Sequence, residues 1–335
     1  MRTENSRLRL LKVLEILKAE SDKEHPISAS ELLEILKKYD IEAERKAIYK
    51  DMEALMDAGF DVVKTGTPKR GYYIADGGFE MPEISLLIDA VQSAGFIPKA
   101  KSRQLVEKLQ GLVSSHQAAE LKNRICIENR SKSGNEEIYN NIGLLNTAIT
   151  KQLKVKIKYT RNQLDETKLV STLKDMVINP YALLWEADHY YLIGNNQKYE
   201  NLTHLRVDRI AEVTVTKEKC RHFSEVSEYS QRFDTADYSR KVFNMFGGEK
   251  CRIDLECDVK LLQQITDKFS DGIFIRHSNN EDTFRFSTEA LISDGLVGWL
   301  MQFGGDVKVL SPDTLKQKVI ENAERLAKVY KGESK

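Results

Sequence analysis

From Ser6 to Lys18 the apolar positions Leu8, Leu10, Leu11, Val13, Leu14, Ile16 and Leu17 recur at helical spacing between Arg7, Arg9, Lys12 and Glu15, predicting an amphipathic helix. Ser21 to Pro26 breaks the pattern. Ser28 then stands three residues before Glu31, a capping-box spacing, and opens a second helix with Leu32, Leu33, Ile35 and Leu36 toward a core. A third helix follows Asp40-Ile41-Glu42 and closes at Gly59: Arg45, Lys46, Tyr49 and Lys50 lie on one side, Ile48, Met52 and Leu55 on the other. Two short strands, Phe60 to Lys64 and Tyr72 to Ala75, are joined by a turn-rich segment that ends in Pro68-Lys69-Arg70-Gly71. Three helices followed by a basic-tipped hairpin predict a winged helix-turn-helix over residues 1–80.

The pattern changes twice more. Residues 81–150 read as a connector of three helices, carried by Ile84 to Val91, Leu105 to Val113 and Ile138 to Ile149, with a polar loop around Lys122 to Asn135. Such helices either pair two copies of the chain or pack on the reader's own core. From Leu153 the period becomes two, with Lys154, Lys156 and Lys158 on one face and Val155, Ile157 and Tyr159 on the other. Further strands at Asp175 to Trp185, His189 to Asn195, Leu202 to Val207 and Ile210 to Lys217 predict a small five-stranded barrel over residues 151–222. Residues 223–248 look linker-like and end at Gly247-Gly248. The remainder, 249–335, alternates as βαββαβ plus a final helix, the order of a ferredoxin-like fold. The expected class is therefore a multidomain α+β protein.

Charge sharpens this outline. The chain of 335 residues carries 51 Lys+Arg against 51 Asp+Glu, a balance that argues against bulk attraction to nucleic acid. Divided up, it conceals local asymmetry. Residues 1–80 hold 14 basic and 16 acidic residues, yet the third helix presents Arg45, Lys46, Tyr49 and Lys50, and the hairpin presents Lys64, Lys69 and Arg70. A major-groove helix needs only three or four such side chains, so these are the candidate DNA-binding residues. Residues 151–221 hold 13 basic against 9 acidic residues and form the locally basic domain. No apolar run reaches the roughly 20 residues of a membrane helix, and no signal sequence opens the chain, so a cytoplasmic protein is expected. Four cysteines, Cys126, Cys220, Cys251 and Cys257, lack metal-ligand spacing; no metal and no cofactor are expected.

The second domain also carries a resemblance. Asn179-Pro180-Tyr181, His189-Tyr190-Tyr191-Leu192-Ile193-Gly194 and His204-Leu205-Arg206-Val207-Asp208-Arg209-Ile210 are similar to the signature of WYL-domain proteins, with Tyr190 where the naming triplet has Trp. Thr203 stands where members often have a further arginine. Trp299 to Gly304 and Val309 to Pro312 resemble the C-terminal extension that accompanies many such domains. The resemblance implies a bacterial transcriptional regulator that acts as a homodimer. In it an Sm-like barrel binds an effector, in some members a single-stranded nucleic acid, and so controls the DNA-binding domains.

The residues themselves support effector binding. Arg206 and Arg209 offer guanidinium forks suited to phosphate or carboxylate, Lys158 adds charge, and His204 adds a donor. Tyr181, Tyr190 and Tyr191 offer stacking faces of the kind single-stranded nucleic acid uses. Neighbours on a strand face opposite ways, so one of Tyr190 and Tyr191 is expected in the core. Phosphate-binding, metalloprotease and nucleophile-elbow motifs are absent from the sequence, which argues against an enzyme. The expected function is a ligand-responsive regulator with a double-stranded DNA operator and a nucleotide or single-stranded nucleic acid as possible effector. The alternative is a nucleic-acid sensor or nucleoid-type binder without a specific operator.

Overall fold

A computed structural model describes residues 2–75, 78–122, 132–165, 168–269, 274–277 and 280–332. Cys126, most of the polar stretch predicted as a loop, and the expected strand start at Gly272 lie outside the described residues. The chain divides into two compact units, residues 1–136 and 137–335. Among the described residues, no helix is long and apolar enough to cross a membrane.

In the first unit, helices α1 (Arg2–Glu20), α2 (Ala29–Lys37) and α3 (Arg45–Asp57) precede a hairpin of β1 (Val62–Thr65) and β2 (Gly71–Ile74). The Ser28 capping box forms as expected: its hydroxyl accepts from the Glu31 amide while the Glu31 carboxylate accepts from the Ser28 amide. Val13, Leu17, Leu32, Leu36, Ile48 and Met52 close one apolar core beneath all three helices. The guanidinium of Arg9 forks onto buried Asp51, Nε to Oδ2 at 2.6 Å and Nη2 to Oδ1 at 2.9 Å, and so fixes α3 against α1. The wing is tied to α2 because Ile27 and Tyr72 exchange both backbone hydrogen bonds, at 2.9 and 2.8 Å. Gly71 permits that approach, since a Cβ there would lie 2.8 Å from the Ile27 carbonyl carbon.

Helices α4 (Met81–Ser93), α5 (Lys99–Gln110) and α6 (Ser115–Lys122) complete this unit around Ile84, Ile88, Val106, Val113 and Leu121. Helix α6 was not expected from the sequence, because it buries only Leu121 and its apolar face is correspondingly thin. Conversely α7 (Ile138–Lys151), expected in the connector, belongs to the second unit, where it packs on a sheet and donates from Asn141 to the Ile210 carbonyl at 2.8 Å.

That sheet has the order β6-β5-β4-β3-β7, built from β3 (Leu153–Asp165), β4 (Lys168–Glu186), β5 (His189–Asn196), β6 (Thr203–Arg206) and β7 (Ile210–Lys219). All its pairings are antiparallel. Strand β4 changes partner midway: Lys168 to Ile178 pair with β3, and Ile178 to Glu186 pair with β5. A bulge at Pro180 marks the change, a place where a missing N–H costs no ladder bond. Contrary to the expected barrel, β6 and β7 are not paired among the described residues; a 3-10 turn, Val207–Arg209, joins them, so the hydrogen-bonded sheet is open there. Strands β3 and β4 also extend as a ribbon to Asp165 and Lys168, well beyond the expected strand ends at Thr160 and Asp175.

Residues 223–248 are not a linker. Helix α8 (Thr235–Lys241) and its flanks bury Phe233, Tyr238, Val242 and Met245 against Tyr181, Ala182 and Ile193 of the sheet. Phe243, next in the chain, enters a different core. This second core lies under β8 (Glu249–Asp258), α9 (Leu262–Phe269), β9 (Phe274–His277), β10 (Thr283–Ile292), α10 (Asp294–Met301), β11 (Val307–Ser311) and α11 (Asp313–Tyr330). Its antiparallel strand order, β11-β8-β10-β9, is that of a split βαβ arrangement. Cys257 is buried in this core and Cys251 is half-buried on the same strand.

Two stability predictions follow from these contacts. Arg9→Met strands the buried Asp51 carboxylate and should cost about 2–3 kcal/mol in denaturant unfolding, whereas a cost near zero would show that the pair is dispensable. The second concerns His204, whose Nε2 lies 2.7 Å from the Tyr238 hydroxyl. Burial lowers its imidazole to about 4 from the ordinary 6.5. The unfolded chain therefore binds this proton first, and the stability it represents is complete above pH 6.5 and is lost as pH falls toward 4. The unfolding midpoint should drop between about pH 7 and 5, and His204→Gln should flatten that slope.

Candidate functional site

In the first unit, α3 buries Ile48, Asp51, Met52 and Leu55 and leaves Arg45, Lys46, Tyr49 and Lys50 exposed on one face. Arg45, Lys46 and Lys50 carry no ion pair among the described residues. The wing residues Lys64, Lys69 and Arg70 are exposed as well. Lys69 differs from the others because its ammonium lies 2.6 Å from Glu31, and this contact, with the Ser28 amide, lowers the Glu31 carboxyl to about 2. A phosphate must displace Glu31 to reach Lys69, so Arg70 and Lys64 are the unencumbered cations of the wing.

In the second unit, side chains alternate across β3, so Tyr159 and Arg161 share the face of Val155 and Ile157. The register places Lys174 opposite Tyr159, on that same face. The face continues past the buried part of the sheet into a concavity of about 540 Å³, which Arg161, Lys174, Tyr159, Tyr199, His204 and Arg209 line. Its lining contains no carboxylate, and Arg161, Lys174 and Arg209 have no side-chain hydrogen bond or ion pair among the described residues. His204 meets it as a neutral ring, its Nε2 spent on Tyr238.

Two buried asparagines hold this concavity open. Asn179 Nδ2 donates to the Asn195 carbonyl at 3.2 Å, its Oδ1 accepts from the Arg221 amide at 3.0 Å, and Asn195 Nδ2 donates to the carbonyls of Tyr199 and Asn201 at 2.8 and 2.9 Å. The loop carrying Tyr199 is thereby clamped to the strand end. Gly194 allows the strands to meet here, as a Cβ would stand 2.6 Å from the Asn179 oxygen.

The other expected effector residues fall elsewhere. Arg206 is bound into its own turn: Nε and Nη2 donate to Asp208 at 3.0 and 2.6 Å, and Nη1 lies 3.0 Å from His189 Nε2. Asp208 thus neutralises Arg206 and leaves Arg209 as the free cation. Lys158 points to the opposite face, pairs with Glu212 at 2.6 Å, and lines a second cavity of about 720 Å³ with Lys156 and Lys198. The two cavities share Lys174, Met176, Asn196 and Tyr199. Tyr181 is core, packed edge-on against Phe223, its hydroxyl without a hydrogen-bond partner among the described residues, and burial raises the pKa of that hydroxyl. Tyr190 and Tyr191 are both half-buried on opposite faces; Tyr191 lies across from Arg206, and Tyr190 across from Trp185. Of the seven expected residues, the concavity gathers His204 and Arg209. Arg161, Lys174 and Tyr199 went unrecognised, although continuing the alternation past Tyr159 places Arg161 on the right face.

Comparison with known proteins follows this layout. A WYL domain matches residues 140–215 and a WCX domain matches residues 249–327. The chain is similar to the uncharacterized HTH-type transcriptional regulator YobV of Bacillus subtilis (strain 168), 22% identical over 315 residues, covering 91% of this chain and 94% of that protein. Among solved structures it is similar to proteasome accessory factor B/C (PafBC) of Arthrobacter aurescens, 16% identical with a TM-score of 0.30, covering 93% of this chain and 47% of that one. The chain thus spans about half the length of PafBC. A CRISPR Cas-related protein is also similar, 14% identical with a TM-score of 0.37, over 99% of this chain and 81% of that one. The chain thus carries a WYL domain over α7 and the five-stranded sheet, and a WCX domain over the sheet that follows.

Proposed function

We propose that the chain is a DNA-binding transcriptional regulator whose WYL sheet senses a phosphate-bearing ligand. The observation that carries the sensing half is the concavity lined by Arg161, Lys174 and Arg209 without a carboxylate. Three uncompensated cations on one concave face favour an anion, and Tyr159 and Tyr199 beside them supply rings for a base. In this reading Asn179 and Asn195 position the binding loop of the five-stranded sheet, and the action is binding, with no catalytic step.

The reading half rests on residues 1–80 as a winged helix-turn-helix. The free cations Arg45, Lys46 and Lys50, with Tyr49 between them, suit base edges and flanking phosphates, while Lys64 and Arg70 suit the backbone beside them. The similarity to a regulator named as HTH-type supports the same assignment. A two-fold operator calls for a homodimer, and the exposed Leu86 and Leu87 on α4 are apolar surface of the kind such a pairing covers. The competing reading, a nucleic-acid sensor without an operator, is favoured by the second cavity, whose Lys156 and Lys198 extend the basic surface past Tyr199. A symmetric footprint on a promoter decides for the regulator; uniform protection decides for the sensor.

Removing Lys174 and Arg209 together, as the double alanine variant, should weaken binding of a single-stranded oligothymidylate by roughly tenfold per cation in low-salt fluorescence anisotropy. It should leave operator binding by the unliganded protein unchanged, and an unaltered oligonucleotide affinity would refute the site. Arg45→Ala with Lys50→Ala should do the reverse, weakening operator binding about tenfold or more without touching oligonucleotide affinity.

A further inference from the structure

We propose that the contact between helix α6 and the α1–α3 bundle is an acid-sensitive joint, closed while two stacked histidines are uncharged and loosened when both carry a proton. The rings of His25 and His116 lie face to face, their centroids 3.9 Å apart and their planes 10° from parallel. His25 belongs to the loop between α1 and α2, and His116 to the first turn of α6. His25 is half-exposed and His116 exposed, so protons reach both rings in the folded chain.

The stack is built on one buried carboxylate. Asp22 accepts from the backbone amides of Glu24 and His25, and the same oxygen lies 2.9 Å from His25 Nδ1. Its other oxygen accepts from the Ser114 hydroxyl. Ser114 in turn opens α6: its hydroxyl accepts from the Gln117 amide, and the Gln117 carboxamide accepts from the Ser114 amide, both at 3.2 Å. Burial alone would raise the Asp22 carboxyl, but the hydrogen bonds from Ser114 and His25 outweigh it and hold it below the ordinary carboxylate range. Asp22 therefore stays ionised where imidazoles titrate, and the charge that changes on mild acidification is carried by the rings.

Protonation acts on the two rings unequally. A first proton suits His25, because Asp22 lies against its Nδ1. A second, on His116, brings a like charge to within 3.9 Å and places it in the first turn of a helix, where the macrodipole disfavours a cation. The other charged groups of the elements that meet here are Lys18 and Glu20 at the end of α1, Lys23 and Glu24 in the loop, Glu107 and Lys108 at the end of α5, and Glu120 and Lys122 on α6. They balance in sign and lie toward solvent, so they leave the repulsion between the rings uncancelled. Helix α6 has little else to hold it, since Leu121 is its one buried side chain. Losing the stack therefore moves α6 toward an unseated state and changes how the α4–α6 helices rest on the bundle. The device does not depend on what the WYL concavity or the third helix binds.

The test is hydrogen–deuterium exchange of the full chain at about pH 7.5 and about pH 5, corrected for the intrinsic pH dependence of exchange. Helix α2, Ala29–Lys37, serves as the internal reference and shows that each variant is folded. Relative to α2, the amides of α6 should lose about three- to fivefold of their protection at the lower pH, the ratio implied by the roughly 1 kcal/mol between unit charges 4 Å apart in water. His116→Phe keeps a ring on His25 but takes no proton, and should show no such loss. His25→Asn keeps a polar partner for Asp22 without a ring, and should lower α6 protection equally at both pH values. Undiminished wild-type protection at the lower pH overturns the proposal, as does the same acid loss in His116→Phe or in His25→Asn.

Discussion

The pair of buried asparagines, Asn179 and Asn195, is the constraint from which the second unit is built. At that point β4 has left β3 for β5, Pro180 has removed one amide from the ladder, and the chain after β5 must turn away. Each step exposes backbone groups inside a core, where an unpaired group costs about 1–3 kcal/mol. The two carboxamides meet that demand from within: they take up the carbonyls of Tyr199 and Asn201 and the amide of Arg221. Because they are fully engaged, the loop they hold has one position, and Tyr199 stands at the junction of two basic cavities. A strand exchange that leaves backbone groups without ladder partners becomes the rigid edge of the concavity.

A second theme is which cations are neutralised. Arg9 is paired with Asp51, Lys69 with Glu31, Lys158 with Glu212 and Arg206 with Asp208. These pairs are worth different amounts: the Arg9–Asp51 fork is shielded and orients a helix, while the exposed Lys158–Glu212 contact is heavily screened and contributes little. What they share is that their charge is spent within the fold. Among the exposed cations outside such pairs, Arg45, Lys46, Lys50, Lys64 and Arg70 lie on the first unit and Arg161, Lys174 and Arg209 on the second. Net neutrality of the chain therefore means that acidic residues elsewhere balance these two open basic surfaces, a distribution that makes specific contacts count for more than bulk attraction.

Much of this was legible in the sequence where a local rule applied. The capping box at Ser28, the alternation from Leu153 and the βαββαβ order after Gly248 each depend on neighbours in the chain, and those elements appear in the expected order, though several ends move, β3 running on to Asp165. What local pattern does not carry is pairing across distance. Arg206 and Arg209 both read as ligands because nothing in the order Arg-Val-Asp-Arg says which guanidinium takes Asp208; the geometry of the turn decides. Tyr181 looked available because its cover, Phe223 and Phe233, comes from a stretch whose mixed composition resembles a linker. Helix α7 was assigned to the connector because its period is helical, and no pattern reports that its apolar face meets a sheet.

The same stretch offers a physical route between the concavity and the WCX domain. His204 lines the concavity and is hydrogen-bonded to, and stacked on, Tyr238 of α8. Three residues after α8's Lys241, which pairs with Glu228, Asp237 and Glu289 of β10, the chain is already past Phe243 in the WCX core. A ligand that reoriented His204 would therefore act on a helix fastened at one end to the WYL sheet and at the other to the WCX sheet. Packed cores do not deform continuously, so such a push is either absorbed at Tyr238 or passed on as a shift of α8 between two seatings. Which of these occurs is set by the ligand's difference in affinity for the two, because contacts alone move no equilibrium unless they are better in one state than in the other.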